Sequence, residues 1–477
     1  MGRQETIRIH PMCWEDEPDT QAISLSAFDH LMPRIYVLIT LVFALDASAN
    51  TWEIIENLKA GLEITVAQFP ALAGTLQTNE EDGSLWVERK KENTVDMIAN
   101  WQNGEEDTEL PTYSDLAKGG FPGAMLEGDK LLPQAVTAKQ LFRGDNDEKD
   151  TRVFTFQVNF IRGGLILGIG VHHSVSDGPG CDGFLSQWAE NTRAIKDGNR
   201  LPRFNPMNLD RSRLNSTATP TATRMQELSG KLPAFRLVKE PPTLPENFIM
   251  PSFSPTMYHF SKQKCERLKN DCKPSSPDAW VSTYDCIMAV LWRATTRAKI
   301  PMLKPDMDKK INLTHAVNNR KILNPPLPDR YLGNAVSLAQ VTPTAIKGVI
   351  AQDALPAIAL AIRSSISRIT PQSIQDLAEW VAGTENKSQI SINVDAFLGM
   401  DLAATSWQQM TSYTQQDFGF GVPKAVRFPK PDWEGYVFVY PEREEGVEVC
   451  VLLEDACQGR LREDEELGRE EQQIKDM

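Results

Sequence analysis

The stretch that most constrains the fold of this chain lies near residue 160, where two apolar runs flank a tight turn. Residues 153–161 largely alternate apolar and polar side chains, residues 162–164 are Arg-Gly-Gly, and residues 165–171 run back as an apolar segment. Alternation followed by a glycine-rich turn predicts a β-hairpin. A further apolar run, residues 35–45, is about half a membrane span long and rich in β-branched side chains, so it predicts a buried strand.

Helical and extended patterns alternate along the rest of the chain, which favours a mixed α/β fold. Apolar residues at helical spacing predict helices, and short β-branched runs predict strands. The predicted helices are 52–65, a segment after Asp177 to about 198, 262–271 and 276–298, and the further predicted strands are 311–317, 435–442 and 446–454.

At 477 residues the chain is longer than one hydrophobic core usually supports, so we expect two domains. We place an N-terminal domain at residues 1–200 and a C-terminal domain at residues 256–477. Between them, residues 201–255 contain Pro- and Thr-rich stretches that favour an extended crossover linker. The mostly charged residues from about 463 onwards predict a solvated, frayed tail.

The overall charge and the cysteines limit the partners and the compartment. A formal net charge of −14 argues against nucleic acid, because phosphate binding requires a basic surface. The first ten residues lack the apolar core of a secretion signal, and we expect no membrane partner. Seven cysteines with no C-x-x-C pair favour thiols in a reducing compartment. We therefore expect a cytoplasmic protein.

Two adjacent histidines, His172 and His173, close the second strand of the predicted hairpin, and Asp177 follows in the next turn. A structural strand end is the first interpretation. A metal site is the second, but zinc takes three or four ligands, and adjacent strand residues point to opposite faces of a sheet. General-base chemistry is the third, because an imidazole with a pKa near 6.5 can take a proton from a hydroxyl or an amine. The H-x-x-x-D spacing alone leaves all three open.

A second motif lies about half a chain further on. HHSVSDG at 172–178 and DFGFG at 417–421 together resemble the paired H-x-x-x-D-G and D-F-G-W-G motifs of the BAHD acyl-CoA-dependent acyltransferases. Further segments that resemble the family follow in the same order and cover most of the chain: LSAFDHLMPRIYV, FPALAGTL, STYDCIMAVLWRAT, YLGNA and TSW. The first of them looks closest to fungal members, the branch that includes trichothecene 3-O-acetyltransferase. The resemblance implies two similar-sized domains like those of chloramphenicol acetyltransferase, each a mixed β-sheet with flanking helices, and an active-site tunnel at their interface.

The resemblance implies a role for each residue that matches a family motif. His173 corresponds to the general base that deprotonates the acceptor. Asp177 corresponds to an acid that turns away from the substrate and pairs with an arginine, for which Arg320 is the first candidate and Arg293 the second. The residues that correspond to positions near the oxyanion or the acceptor are Gly178, Thr405 and Trp407.

The resemblance also implies a binding site for an acyl-CoA co-substrate, such as acetyl-CoA. Ser282 and Tyr284 match positions that contact the nucleotide part, and the nearby cations that would meet its phosphates are Lys273, Arg297 and Lys299. The residues expected to be structural are Arg320, Asn334, Asp417, Gly419 and Gly421. The implied reaction uses no metal and no permanently bound cofactor. Its implied partner is a small specialised metabolite with a hydroxyl or an amine, and we expect a monomer.

The chain departs from the family at two positions and shares one motif with another group of enzymes. Phe420 replaces the tryptophan of D-F-G-W-G, and Asn318 replaces the aspartate of the family's V-D-x-R, which weakens the pairing expected of Arg320. Condensation domains of peptide synthetases also carry H-H-x-x-x-D-G, but they lack D-F-G-W-G. Two alternatives therefore stand beside the acyltransferase: a carrier-fed condensation enzyme, and a descendant that keeps the fold without thioester chemistry.

Overall fold

The computed structural model describes residues 2–133, 151–239, 247–429, 434–470 and 472–473. Residues 240–246 of the expected linker, and residues 471 and 474–477 of the expected tail, lie outside this description. The strands are β1 Arg3–Ile9, β2 Thr20–Ser24, β3 Tyr36–Ala44, β4 Thr75–Thr78, β5 Leu85–Lys90, β6 Val95–Gln102, β7 Thr151–Arg152, β8 Phe154–Ile161, β9 Gly164–His172, β10 Phe235–Leu237, β11 Phe253–Ser261, β12 Lys310–Ile311, β13 Leu313–Asn318, β14 Val336–Gln340, β15 Thr344–Ala345, β16 Ile390–Ile392, β17 Leu402–Ser406, β18 Ala425–Arg427, β19 Tyr436–Val439, β20 Gly446–Glu454 and β21 Gln472–Gln473. The helices are α1 Thr51–Gln68, α2 Tyr113–Lys118, α3 Gly128–Leu131, α4 Gly178–Lys196, α5 Ala222–Lys231, α6 Lys262–Asp271, α7 Thr283–Leu303, α8 Ile346–Val349, α9 Leu355–Ser367, α10 Pro371–Gly383, α11 Ser412–Gln415, α12 Asp455–Arg462 and α13 Glu465–Glu470. Within these described residues, no helix is long and apolar enough to cross a membrane.

A six-stranded sheet, in the order β1-β6-β8-β9-β3-β18, is built mainly from the first half of the chain. The predicted hairpin lies at its centre, where β8 and β9 pair antiparallel and β3 pairs with the other side of β9. Every residue of β8 and β9 is buried, which is the pattern of central strands covered on both faces. Helix α4 packs on this sheet through Trp188, whose ring meets Phe156 at 5.1 Å and whose Nε1 donates to the Leu58 carbonyl of α1.

A seven-stranded mixed sheet, in the order β14-β13-β17-β19-β20-β11-β21, is built from the second half of the chain. Strand β17 runs parallel to both of its neighbours, and the other pairings are antiparallel. A buried core joins this sheet to α7, α9 and α12. One strand crosses between the halves: β18 pairs with β3 in the first sheet, with Val426 opposite Leu41. The mixed α/β class is confirmed, and the domain boundaries stay a prediction.

The expected linker is not wholly extended, because it contains helix α5. Thr221 caps this helix by accepting a hydrogen bond from the backbone of Arg224 at 3.3 Å, and Leu228 is fully buried. The Arg224 guanidinium donates to Glu379 and Asp376 on α10. The Thr- and Pro-rich composition favoured an extended chain, but in the structure one of these threonines, Thr221, caps a helix.

The charged segment after residue 463 is packed rather than solvated over its described part. It forms helix α13, and Leu467 is 1% exposed. Asp464 and Glu466 accept hydrogen bonds from Arg297 of α7 at 2.7–2.8 Å. The prediction of a frayed tail was wrong here, because the acidic residues Asp464 and Glu466 pair with an arginine of α7, which is far away in the sequence.

Candidate active site

A cavity of about 330 Å³ lies between the residues of the two sheets. Its wall is mostly apolar and aromatic, and its polar members include His173 and Thr405. The large side chains that line it include Tyr36, Leu338, Phe397, Trp407, Phe428 and Phe438. An apolar cavity with a few convergent polar groups is the usual form of a small-molecule site.

His173 stands at the entrance to the turn after β9, with its backbone N–H donating to the Ile35 carbonyl at 2.7 Å. Its side chain is half-buried and lines the cavity. Its Nδ1 is buried and has no hydrogen-bond partner of ordinary geometry among the described residues, which leaves Nε2 as the ring nitrogen on the open side. Burial lowers the pKa of His173, against the opposing effects of its own carbonyl, Asp177 and Asn334. A neutral ring at neutral pH follows.

His172 has a different environment from its neighbour. It is buried, its Nδ1 accepts from the Ser174 backbone at 3.2 Å, and its ring meets Tyr36 edge-on at 5.3 Å. Burial lowers its pKa to about 3, so it stays neutral and serves in packing. In the part of the chain that the structure describes, no cluster of three or more His, Cys, Asp or Glu side chains is placed to hold a metal ion.

Both carboxylate oxygens of Asp177 are engaged, and the arginine expected beside it is Arg320. Nη2 of Arg320 donates to Oδ1 at 2.8 Å and Nη1 to Oδ2 at 3.0 Å. The backbone N–H groups of Gly180 and Ala335 complete the shell at 2.8 Å each. Asp177 also caps helix α4. This carboxylate therefore anchors the turn, and it has no oxygen left over for a substrate.

The departure at Asn318 does not remove Arg320 from its position. The Asn318 side-chain oxygen accepts from the Arg320 backbone at 3.1 Å and from its guanidinium at 3.2 Å. The alternative partner, Arg293, is used elsewhere: it donates to Glu466 and to the carbonyl of Val349. An amide oxygen thus supports the arginine where the family usually has a carboxylate.

Gly178, Thr405 and Trp407 all line the cavity with His173. A Cβ on Gly178 would lie 2.9 Å from Nε1 of Trp407 and 2.8 Å from Cε of Met410, so a side chain there would displace the indole. Trp407 is also a core residue, 4% exposed and edge-on to Phe438 at 5.7 Å. Glycine therefore permits the close approach of helix α4 to the indole.

The residues expected around coenzyme A fall into two groups. Ser282 caps α7 and accepts from Arg363 at 2.6 Å, and the Tyr284 hydroxyl bonds His315 Nδ1 at 3.2 Å. Lys273 is exposed just after α6. These three stay candidates.

Arg297 and Lys299 do not fit the expectation of free cations beside a phosphate. Arg297 is paired with Asp464 and Glu466. Lys299 is 1% exposed and donates to the carbonyls of Ala396 and Gly399. Both charges are already satisfied within the protein, so we leave both residues out of the proposed coenzyme site.

The DFGFG motif forms a tight loop away from the cavity lining. Asp417 Oδ1 accepts from the backbone of Gly419 at 2.8 Å and of Gly421 at 2.9 Å. Both glycines have positive φ, 94° and 98°, which is why the motif requires glycine there. Phe418 packs edge-on against Trp188 at 5.0 Å. These contacts hold the loop together, and the structural role of the motif stays a prediction.

Asn334 lies close to the base, and with it lies Asp29, which sequence reasoning did not select. The Asn334 Nδ2 donates both to the His173 carbonyl at 2.7 Å and to Asp29 Oδ1 at 2.8 Å. In the sequence Asp29 lies in the family-like segment LSAFDHLMPRIYV, where it was given no role, and in the structure it forms a capping box with Ser26. Its ionic partner Arg211 carried no signal, because it lies in the segment expected to be a linker.

Comparison with known proteins agrees with the motifs and with the fold. The model of the Transferase family matches residues 8–467. The chain is 30% identical to the acetyltransferase FGR3 of Gibberella zeae, over 98% of this chain and 93% of that protein. It is 27% identical to the trichothecene 3-O-acetyltransferase TRI101 of Fusarium sporotrichioides, over 91% and 92% of the two chains. In fold it is similar to F. graminearum TRI101 crystallised with coenzyme A and deoxynivalenol, with a TM-score of 0.80 at 21% identity, covering 95% of this chain and 100% of that one. The chain belongs to the Transferase family, the BAHD acyltransferases that its two motifs resemble.

Proposed function

We propose that this protein transfers an acyl group from an acyl-coenzyme A to the hydroxyl of a small, largely apolar acceptor, with His173 as the general base. The observation that carries the proposal is the cavity, whose mostly apolar wall includes His173, Thr405 and Trp407. The ion pair of Asp177 with Arg320 supports an anchoring role for that acid and leaves the proton transfer to the imidazole.

The first step is the attack of the acceptor oxygen on the thioester carbonyl carbon. Nε2 of His173 takes the hydroxyl proton as the C–O bond forms, and the carbonyl electron pair moves onto oxygen. A base must be neutral to do this, and the lowered pKa that burial gives His173 supplies the neutral form. Both substrates are bound together, so no acyl-enzyme is needed.

The second step is the collapse of the tetrahedral intermediate. The Trp407 indole N–H and the Thr405 hydroxyl are the donors on the cavity wall that we assign to the oxyanion. When the C=O bond reforms, the C–S bond breaks, and the proton held by His173 passes to the departing thiolate. The products are the ester and free coenzyme A.

The acceptor class follows from the cavity wall and from the relatives. Aromatic and aliphatic side chains dominate the lining, which favours an apolar acceptor with few hydroxyl groups. The relatives named for their substrates include a trichothecene 3-O-acetyltransferase and an eremophilane O-acetyltransferase. Both names support a specialised metabolite as acceptor, an oxygen rather than a nitrogen as nucleophile, and acetyl-CoA as the first donor to assay.

The test is His173→Ala, assayed with acetyl-CoA and hydroxylated terpenoid acceptors. General-base catalysis typically contributes about 10²- to 10⁴-fold, so we expect kcat to fall by that factor. Thiol release from coenzyme A and the mass of the ester are measured together. His259→Gln, on β11 and outside the cavity lining, is the matched histidine control.

Three results would contradict the proposal. Retention of most activity by a folded His173→Ala variant would remove the histidine from the chemistry. Wild-type protein that binds an acceptor but releases no thiol with acetyl-CoA or longer acyl-CoAs would favour the descendant without thioester chemistry, and turnover solely with an acyl-carrier protein would favour the condensation enzyme.

A further inference from the structure

Asp29 lies outside the two catalytic-type motifs of the sequence, and its buried carboxylate accepts several hydrogen bonds. It lies in the 3-10 turn Ala27–Leu31 and is fully buried. Its Oδ2 accepts from the backbone and the hydroxyl of Ser26, both at 2.7 Å, and from Nη1 of Arg211. Its Oδ1 accepts from the backbone and the side chain of Asn334 at 2.9 and 2.8 Å. These five donors hold the buried carboxylate in one position.

Asp29 determines which way the Asn334 amide faces. A carboxylate only accepts hydrogen bonds, so the NH₂ end of the amide must point towards Asp29. The same NH₂ group reaches the backbone carbonyl of His173 at 2.7 Å. The amide oxygen, Oδ1 of Asn334, is left buried without a partner of ordinary geometry in the described part of the chain, as is Nδ1 of His173.

Arg211 holds the other side of the same turn. Its Nη2 donates to the Val175 carbonyl at 3.0 Å, two residues beyond His173. Arg211 is 8% exposed, and the space beside it is tight, since a Cβ on Gly333 would lie 2.5 Å from its Nη1. The Asp29–Arg211 ion pair therefore acts on both carbonyl groups that flank the start of the turn.

We propose that Asp29 is a positioning residue for His173, acting through Asn334 on the histidine carbonyl and through Arg211 on the Val175 carbonyl. This inference rests on the proposed function, because it takes His173 as the base. Asp29 does not line the cavity. It fixes the backbone from which the imidazole extends, at the end opposite to the one anchored by Asp177.

The main test is a double-mutant cycle with Asn334→Ala and Asp29→Asn, measured as kcat and KM with acetyl-CoA. Asn334→Ala leaves the Asp29–Arg211 pair in place and removes the donor to the His173 carbonyl. Misplacement of a catalytic group by about 1 Å costs on the order of 100-fold in rate, so we expect each variant to lose about 10- to 100-fold in kcat with KM within about twofold. The double variant should lose no more than about threefold beyond the less active single variant, because Asp29→Asn already disturbs the Asn334 contact that Asn334→Ala removes.

The matched control is Asn191→Ala. Asn191 lies on α4 and is also buried. Its amide donates to Thr65 and Gln68 at 2.9 and 3.0 Å, and both partners lie on α1, far in sequence from the turn that carries His173. We expect this variant to lose stability but keep kcat. The Asn334 side chain raises the pKa of His173. Its removal should therefore also move the acid limb of kcat/KM to lower pH, since the neighbouring residues His172 and Asp177 are not altered in this variant. Asn191→Ala should leave the limb in place.

Three results would overturn the inference. Wild-type kcat in Asn334→Ala would overturn it even if Asp29→Asn fails to fold. Losses that multiply in the double variant would show that Asp29 does not act through Asn334. An equal loss of kcat in Asn191→Ala would show that the loss in Asn334→Ala comes from lower stability and not from a positioning role. His173→Ala separates this failure from that of the proposed function: if His173→Ala is inactive while Asn334→Ala is fully active, the base is retained and only the positioning role is lost.

Discussion

His173 and His172 are neighbours in the chain, yet their surroundings give them different chemistry. Side chains alternate across a strand, and this alone separates the two rings at the end of β9. One ring reaches the cavity, and the other is buried against Tyr36. The sequence predicted this division from the alternation. It held no information on burial, and it is burial that lowers the pKa of both rings.

The lowered pKa of His173 predicts activity that persists into mild acid. A general base works in its neutral form, so kcat/KM falls as the pH drops through the pKa of the base. Burial lowers that pKa below the ordinary 6.5, and the midpoint of the acid limb should therefore lie below pH 6.5. The measurement is kcat/KM from about pH 4.5 to 8 with an uncharged acceptor, and circular dichroism over the same range serves as the folding control. A midpoint above 6.5 would contradict the assignment of His173 as the base.

At the scale of elements, local sequence patterns predicted the helices and strands well, but they did not predict contacts between residues far apart in the sequence. The hairpin β8–β9, strand β3 and helix α6 were predicted from periodicity, and α6 spans the predicted residues 262–271. Helix α7 begins at Thr283 instead of 276, because Ser282 and Asp285 form a capping box. The pairing of β18 with β3 joins residues nearly 400 apart in sequence, and no local pattern contains such a pairing. In the candidate site, likewise, the motifs located His173 and Asp177, whereas Asp29 depends on contacts made across the whole chain.

The DFGFG loop offers a test that separates structure from catalysis. Gly421 has φ 98°, and a Cβ there would meet nothing within 4 Å, so Gly421→Ala changes backbone strain alone. We expect a loss of about 1 kcal/mol in the free energy of unfolding with kcat/KM unchanged, because the loop does not line the cavity. Gly459→Ala is the matched control, since it also meets nothing within 4 Å but lies in helix α12, where alanine should stabilise. A large loss of kcat/KM at Gly421 would contradict the structural role.

At the scale of the whole molecule, the turn that carries His173 is held by residues from both halves of the chain. Arg320 and Asn334 come from the second half and Asp29 from the first, and the sequence separation between Asn334 and Asp29 is 305 residues. Strand β18 adds a further connection, because its Arg427 forms a buried ion pair with Glu448 of the second sheet. The geometry of the base therefore depends on the correct docking of the two sheets.

The ion pairs of the last described helix, α13, and of Asp464 just before it allow a test of how this region contributes to stability. Arg293 is 3% exposed and Arg297 is half-buried, and Asp464 and Glu466 supply their carboxylate partners. Removing a partner leaves a desolvated charge without compensation. We expect Asp464→Asn with Glu466→Gln to lower the free energy of unfolding by about 1–3 kcal/mol, whereas the exposed Glu463→Gln should change nothing measurable.

The pH dependence of that difference identifies its origin. Burial acts to raise the pKa of Asp464, but its hydrogen bonds and the charge of Arg297 outweigh burial and lower it below the ordinary 3.8. A lowered pKa means that the folded state binds this proton less tightly than the unfolded state does, so the stabilisation is present above about pH 4 and is lost as the pH falls through the folded pKa. The gap in urea-unfolding free energy between wild type and the double variant should therefore be full at pH 7 and shrink below pH 4. A gap of zero at pH 7 would mean that these residues behave as the solvated tail that their composition predicts.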